Sequence, residues 1–505
     1  MLQFEVFDEN GPAREWPLVN AHLVGRDELP VTGRVRFKRG RILCEKRGGR
    51  PAGLCLQYDA GGMGRLMLQT CLLPERSGPY NLTVELARHR IKMFIAKSEE
   101  WQMFDLSAQH PAMKLWEEAR QRFTAAVTCD DPTEADRIAR QSLETAIDAT
   151  ERLALAHAQI LLHRRFATKP ASSATLGVRV WPGRNGAGLR SIVEKEFDVL
   201  ALPMNWRELE VREGAYNWEP LDRWVQWARQ QGKPILAGPL IDFSPNAVPE
   251  WIYVWQHDYD TCRDLVYDHI ERVVHRYKGS VTFWNLGCGL NVRENFEFSV
   301  EQMIDLTRMA SLLVRQSRKG ARTMIELAEP FSEYRAKQRE GVAAAMFAER
   351  LIQEGVRLDA IGVQMLLGEA ESGRATRDLM QISSLLDQYA TMEMAVLITA
   401  MGVPSDQVDP EGGCWHESWS PERQGRWASQ IFALAMSKPY VESVIWSELF
   451  DHDQASPRCG GLIDHEGRSK PALQRLLGVR RRLRKPLGPL KLPNRVDPAA
   501  PTPRG

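Results

Sequence analysis

Val281-Thr282-Phe283-Trp284-Asn285-Leu286-Gly287-Cys288-Gly289 is a short apolar run closed by a small-residue turn. It is followed by Val300 to Gln316, where apolar residues recur at helical spacing, and then by a second apolar run from Thr323 to Leu327. Strand, amphipathic helix, strand is the unit of a parallel sheet with right-handed crossovers. Reading outward, the unit repeats. Strands are expected at Leu176 to Val180, Phe197 to Leu202, Ile235 to Ile241, Val281 to Leu286, Thr323 to Leu327, Ala360 to Met365, Ala395 to Thr399 and Ser443 to Ser447. The intervening helices include Leu221 to Gln230, Arg263 to Tyr277, Val300 to Gln316 and Gly341 to Glu354. Eight such units in residues 171–485 predict an α/β fold, a (β/α)8 TIM barrel, whose chemistry would sit at the C-terminal ends of the strands.

Upstream, residues 1–106 change period. Val35 and Phe37 alternate with Arg34, Arg36 and Lys38, and further short runs at Leu54 to Tyr58, Leu66 to Leu72, Tyr80 to Ala87 and His89 to Ala96 predict an antiparallel β-sandwich. Residues 107–170 read as a helical hairpin. Asp131, Pro132 and Glu134 form a start signal ahead of Ile138, Leu143, Ile147, Leu153 and Ile160, and the second helix should run ~50 Å at ~1.5 Å per residue. The apolar residues of the hairpin, with His157 and His163, are expected to pack on the neighbouring domains, with a partner-binding face as the open alternative; the sandwich is the other candidate surface for a protein partner. Residues 486–505, rich in Pro and poor in large apolar side chains, read as a disordered tail.

The whole chain has 505 residues, 43% hydrophobic and 26% charged, a composition that suits a multidomain globular protein and excludes fibrous and disordered classes. Its formal charge of +1 supplies no field for a polyanion, so nucleic acid is not an expected partner. Basic residues Arg480 to Arg482, Arg484 and Lys485 fall at a helix C-terminus, where cations complement the dipole. Eight widely spaced cysteines with no CxxC pair read as reduced thiols, and Cys414, His416, His452, Cys459 and His465 match no zinc signature. No cofactor or metal is expected. The N-terminal residues lack a basic start and apolar stretch, and no run reaches the ~18 apolar residues of a membrane span, so the reading is cytoplasmic with no membrane partner.

The barrel carries a more specific pattern. Met204-Asn205-Trp206, Gly214-Ala215-Tyr216-Asn217-Trp218, Tyr277-Lys278-Gly279, Trp284, Asp359 to Gln364, Ile398-Thr399, Trp446, Gly461 to Asp464 and Lys470-Pro471-Ala472 occur in the order in which glycoside hydrolase family 10, the xylanase family, carries similar segments. The resemblance covers about 300 residues of the barrel and none of the first 170. It implies retaining hydrolysis of β-linked glycans by two carboxyl groups roughly 5 Å apart, an acid/base and a nucleophile.

Both carboxylates are missing where the resemblance places them. The family's Asn-Glu after the fourth strand is here Cys288-Gly289, and its Ile-Thr-Glu on the seventh is Ile398-Thr399-Ala400. The strand-3 histidines are also absent from Gly238 to Ser244, and Leu366 stands where the family has a His two residues after the strand-6 Gln. A hydrogen and a methyl group can neither donate a proton nor attack an anomeric carbon. The chain therefore reads as a catalytically degenerate family 10-like protein acting in glycan binding or as a scaffold. Trp206, Trp284, Trp446 and Trp415, with the polar Asn285 and Gln364, are the candidate sugar contacts. Two other readings stay open. In one, the chain is an active O-glycosyl hydrolase on a β-linked glycan, using relocated carboxylates among Glu326, Glu448, Asp242 and Asp451, with Glu329 and Glu369 nearby. In the other, it is a structural assembly protein with an idle cavity.

Overall fold

The computed structural model describes residues 1–103, 105–171, 175–183, 188–292, 295–337 and 339–488. Its centre is a closed parallel barrel of eight strands: Leu176–Arg179, Val199–Leu202, Ile235–Ala237, Phe283–Cys288, Arg322–Leu327, Ala360–Leu366, Ala395–Gly402 and Val441–Trp446. Closure is made by the first strand lying between the second and the eighth, with Gly177 opposite both Val199 and Ile445. Every barrel strand read from the sequence is present. A separate cluster of Val199, Ala201, Leu236, Phe283, Met324, Ala360, Leu397 and Ile445, drawn from strands 2 to 8, fills the ring as a packed core. After strand 2 a small hairpin, Glu210–Arg212 with Ala215–Tyr216, adds a feature the strand-and-helix pattern does not announce.

The N-terminal region forms two four-stranded sheets. One is ordered Tyr80–Asn81, Leu2–Glu5, Arg41–Lys46, Gly33–Lys38, and the other Pro30–Val31, His22–Val24, Gly53–Asp59, Arg65–Gln69. The pairings are antiparallel except between Leu2–Glu5 and Tyr80–Asn81.

The expected strands at Tyr80 to Ala87 and His89 to Ala96 do not exist beyond Asn81. Leu82–Glu100 is a helix, α1. Asn81 caps it by accepting the Val84 amide at 3.1 Å, Glu85 lies in the first turn, and Leu82, Leu86, Ile91 and Phe94 recur at steps of three to five on the buried side. The local alternation that suggested strands is a subset of this longer period. The sandwich therefore ends near residue 81 rather than 106, and the hairpin is a three-helix layer: α1, α2 (Pro111–Val127) and α3 (Pro132–Phe166).

Asp131 caps α3 as expected, accepting the Thr133 and Glu134 amides at 2.8 and 2.9 Å. One hydrophobic core runs from the sheets through these helices into the outer layer of the barrel. The long face of α3 offered above as a partner surface is covered by the chain's own barrel: buried Glu151 accepts the Trp415 indole at 2.6 Å and the Leu379 amide at 3.1 Å. At the far end, Leu487 and Gly488 donate backbone bonds to Phe166 and Ala167. The expected tail from residue 489 onward lies outside the described residues. No helix among the described residues is long and apolar enough to cross a membrane.

Candidate functional site

At the C-terminal mouth of the barrel, the loops after most of the strands enclose an open cleft of about 1580 Å3. Its lower wall is a polar network joining five strands. Glu326, at the end of strand 5, is 2% exposed and accepts from three donors: Arg179 of strand 1 at 3.3 Å, Asn285 of strand 4 at 2.6 Å and Gln364 of strand 6 at 2.8 Å. Arg179 also donates to the Thr399 carbonyl on strand 7 at 3.2 Å, and Gln364 to the Cys288 sulfur at 3.1 Å. Of these, Arg179, Cys288 and Gln364 line the cleft, whereas Glu326 lies beneath them.

The strand tips at Gly289 and Ala400 differ in kind. Gly289 lines the cleft with φ +66°, in the left-handed region that L side chains rarely adopt, and a Cβ there would meet only Ala328 at 3.6 Å. The backbone, more than the space, is what suits glycine. Ala400 is fully buried in strand 7, opposite Gln364 across a register shift, one residue from the carbonyl that Arg179 holds.

Of the four relocated-carboxylate candidates, the structure places two, Glu448 and Asp242, at the cleft, one beneath its wall and one away from it. Glu448 is buried yet lines the cleft, accepting the Trp181 indole at 3.2 Å and facing His452 Nε2 at 3.0 Å. Asp242 lines the cleft and accepts the Ser244 amide at 2.8 Å, an ordinary turn contact. Glu326 has both oxygens taken up by the protein. Asp451 is not at the cleft: it pairs with Lys470 at 2.5 Å and accepts the Gly461 amide, holding the segment after strand 8. Glu329 also lines the cleft; burial raises its carboxyl, opposed by Arg339, while Ser372 donates to it at 2.8 Å.

The tryptophan expectation fails. Trp206, Trp284, Trp446 and Trp415 are at most 6% exposed, and none lines the cleft. Trp206 stacks on His269 with ring centroids 4.4 Å apart and donates to Glu210 at 2.6 Å, Trp446 donates to the Gly460 carbonyl at 2.9 Å, and Trp415 is bound to Glu151. A large ring in a barrel of this size is more economically placed in the packing between layers than on a surface, and all four are. Among the described residues, the indole that does line the cleft is Trp181, just past strand 1. Its position two residues beyond Arg179, on the same side of an extended chain, is the signal that would have found both.

With this geometry in view, the similarity to known proteins is direct. The model of glycosyl hydrolase family 10 matches residues 171–478, more than half of the chain. The chain belongs to that family. Among its relatives are endo-1,4-beta-xylanase 1 of Gibberella zeae, 23% identical over 235 residues (44% of this chain, 64% of the relative), and endo-1,4-beta-xylanase 3 of Hypocrea jecorina, 26% identical over 183 residues (36% and 52%). The chain thus spans between half and two thirds of the length of these relatives. Among solved structures, native xylanase 10B from Thermotoga maritima aligns at 16% identity with a TM-score of 0.48, covering 64% of this chain and 98% of that one. The family match begins at residue 171, leaving the sheets and the three-helix layer outside it.

Proposed function

We propose that this family 10 barrel binds a β-linked glycan in its cleft and does not cleave it by the two-carboxylate route. The observation that carries the reading is the state of the two strand tips: Gly289 in a glycine-favouring backbone conformation and Ala400 fully buried, with no side chain able to protonate a leaving group or attack a sugar. Glu326, whose backbone carbonyl accepts the Gly289 amide, sits under the cleft wall with each side-chain oxygen already accepting a donor. A carboxyl group in that condition cannot approach a glycosidic oxygen without first breaking its own contacts.

Binding, by contrast, requires only an open cleft with convergent polar groups. At about 1580 Å3 the cleft is larger than the ~300–1,000 Å3 of a typical small-molecule pocket, which favours a chain of several sugars over a single one. Trp181 supplies the one described indole face, and Asn205, Gln364 and Ser372 supply neutral hydrogen-bonding groups. The relatives' names point to β-1,4-linked xylose as the first ligand to try.

The test pairs calorimetric binding of xylo-oligosaccharides with reducing-sugar release from β-1,4-xylan and β-glucan panels. Binding without release supports the reading. Release that disappears in Glu448→Ala or Asp242→Ala would replace it with a relocated active site. Absence of both binding and release favours the assembly reading, for which the continuous core between the N-terminal layers and the barrel is the supporting feature.

A further inference from the structure

We propose that the N-terminal module, which lies outside the family-matched region, is the positioning element for one wall of the cleft. The wall in question is the loop after strand 6, residues 367–378. Glu369, Glu371, Ser372, Gly373 and Arg374 of this loop face the cleft. The next residue, Ala375, is fully buried and packs in a cluster with Val24, Cys55 and Met67 of the second N-terminal sheet. Cleft surface and sheet surface are therefore adjacent residues of one loop.

The backbone bonds are as specific as the packing. Arg65–Gln69 is the edge strand of its sheet, so its outer amides have no strand partner. The Met67 amide instead donates to the Thr376 carbonyl at 3.0 Å, and the Met67 carbonyl accepts Gln381 Nε2 at 2.8 Å. The barrel loop completes the sheet edge, and the sheet edge holds the loop. Where the loop turns into the helix Leu379–Ala390, the capping residue Asp378 pairs with Arg90 of α1, both side chains at 2% exposure or less.

A second layer braces the same wall from behind. The loop after strand 7 presses against the strand-6 loop at Gly412, where an added Cβ would overlap the Gly368 carbonyl carbon, and against the sheet at Gly413, where it would overlap the Arg65 carbonyl oxygen. Gly64 answers from the sheet side, with φ +89° and an added Cβ that would overlap the Cys414 carbonyl oxygen. Three backbones approach at distances only glycine permits. Connecting loops are ordinarily the least stable parts of a barrel and drift in its low-energy openings. This one has its buried Ala375, its Thr376 carbonyl and its Asp378 charge all partnered by the chain's own N-terminal module, so the shape of the cleft there is set in part by residues far from it in sequence.

The experiment uses the full chain with two substitutions that touch no cleft residue. Met67→Ala removes packing around Ala375, and Gly64→Ala wedges the sheet away from the strand-7 loop. Hydrogen exchange is followed in peptides covering 366–378 and, as the internal control, barrel strands 283–288 and 322–327. The expected result is a rise of about tenfold or more in exchange of the 366–378 loop in each variant that folds, with the barrel strands unchanged. Unchanged loop exchange in Met67→Ala, or a rise shared equally by the barrel strands, overturns the proposal. A parallel titration with xylo-oligosaccharide should show weaker binding in Met67→Ala. That arm rests on the glycan reading, and if the unsubstituted chain binds no sugar it is that reading which fails, while the exchange result still decides this one.

Discussion

Substituting Glu326 separates a structural carboxylate from a catalytic one. The side chain accepts from Arg179, Asn285 and Gln364. Glu326→Ala would leave a mostly buried guanidinium and two amide donors facing a cavity. Breaking one side of a buried pair costs about 3–5 kcal/mol, and because Arg179 keeps the Thr399 carbonyl and is 17% exposed, the lower part of that range applies, about 3 kcal/mol. Glu326→Gln preserves the volume but turns an acceptor into an NH2 group that must face one of the same donors, for a cost of about 1.5–3 kcal/mol. Replacing both ends, Glu326→Leu with Arg179→Leu, should recover much of the single-site loss, since no buried charge is then orphaned. Urea unfolding followed by tryptophan fluorescence reads these as midpoint shifts at unchanged slope. A catalytic Glu326 behaves in the opposite way: its removal abolishes sugar release and leaves stability level or improved. Glu326→Ala within about 1 kcal/mol of the parent chain would refute the clamp argument.

The remaining expectations follow from the same geometry. Arg90→Met should lose about 3–5 kcal/mol in the same unfolding assay, because Asp378 is left buried without its partner at a helix start. Trp181→Ala should weaken oligosaccharide binding in calorimetry with little change in unfolding midpoint, whereas Trp415→Ala should cost about 3–5 kcal/mol through its filled site against α3. Restoring the family residue by Gly289→Glu should cost about 1–2 kcal/mol for a side chain at positive φ, and should not by itself produce reducing-sugar release, because Ala400 still offers no nucleophile. His89, His157 and His269 are held down to about 3 by burial, against an ordinary 6.5. Their stabilisation is present above pH 6.5 and is lost as protons bind the unfolded chain first. Between pH 6.5 and 5 stability should fall with acid, by up to about 1.4 kcal/mol per pH unit for each histidine, and His269→Gln should make the slope shallower.

The barrel was legible because each strand is a short apolar run between helices of clear period, and all eight runs appear where they were read. The N-terminal boundary was not, because Tyr80 to Ala96 satisfies a two-residue alternation locally and a helical period only over α1 as a whole; the Asn81 cap decides between them, and an Asn before an apolar run is a weak signal on its own. At the site, Gly289 and Ala400 could be singled out because the resemblance implies other residue types at those positions. The clamp on Glu326 could not, since Arg179, Asn285 and Gln364 come from three strands that only barrel closure brings together. The tryptophans misled for a related reason: for Trp206, Trp284 and Trp446, a matching position tells which strand end a ring sits on, not which way it points, and Trp415, in the loop after strand 7, turns toward α3, a layer outside the family-matched segment.

Two carboxylates facing each other across a few ångströms are costly to hold, and a barrel relieved of that task gains stability by letting small residues into the gap. Under the proposed non-cleaving reading such a gain would account for Ala400 and Gly289, but it gives no reason for the mouth to stay open, and burial of apolar surface would favour loops closing over it. Here the opposite arrangement is found. The loop after strand 6 is fastened on its outer side to the N-terminal sheet, and Glu369 ties it on the inner side to the strand-8 loop, accepting from Ser456 at 3.0 Å and the Arg458 amide at 2.8 Å. Both fastenings pull on the walls of the cleft, and the space between them has not been filled. Variants of the inner tie, such as Glu369→Ala, should therefore loosen the loops and change ligand affinity together, which hydrogen exchange and calorimetry on one sample can check; loops that relax with no change in the affinity of a sugar-binding parent would mean that the open cleft and the ligand are unrelated.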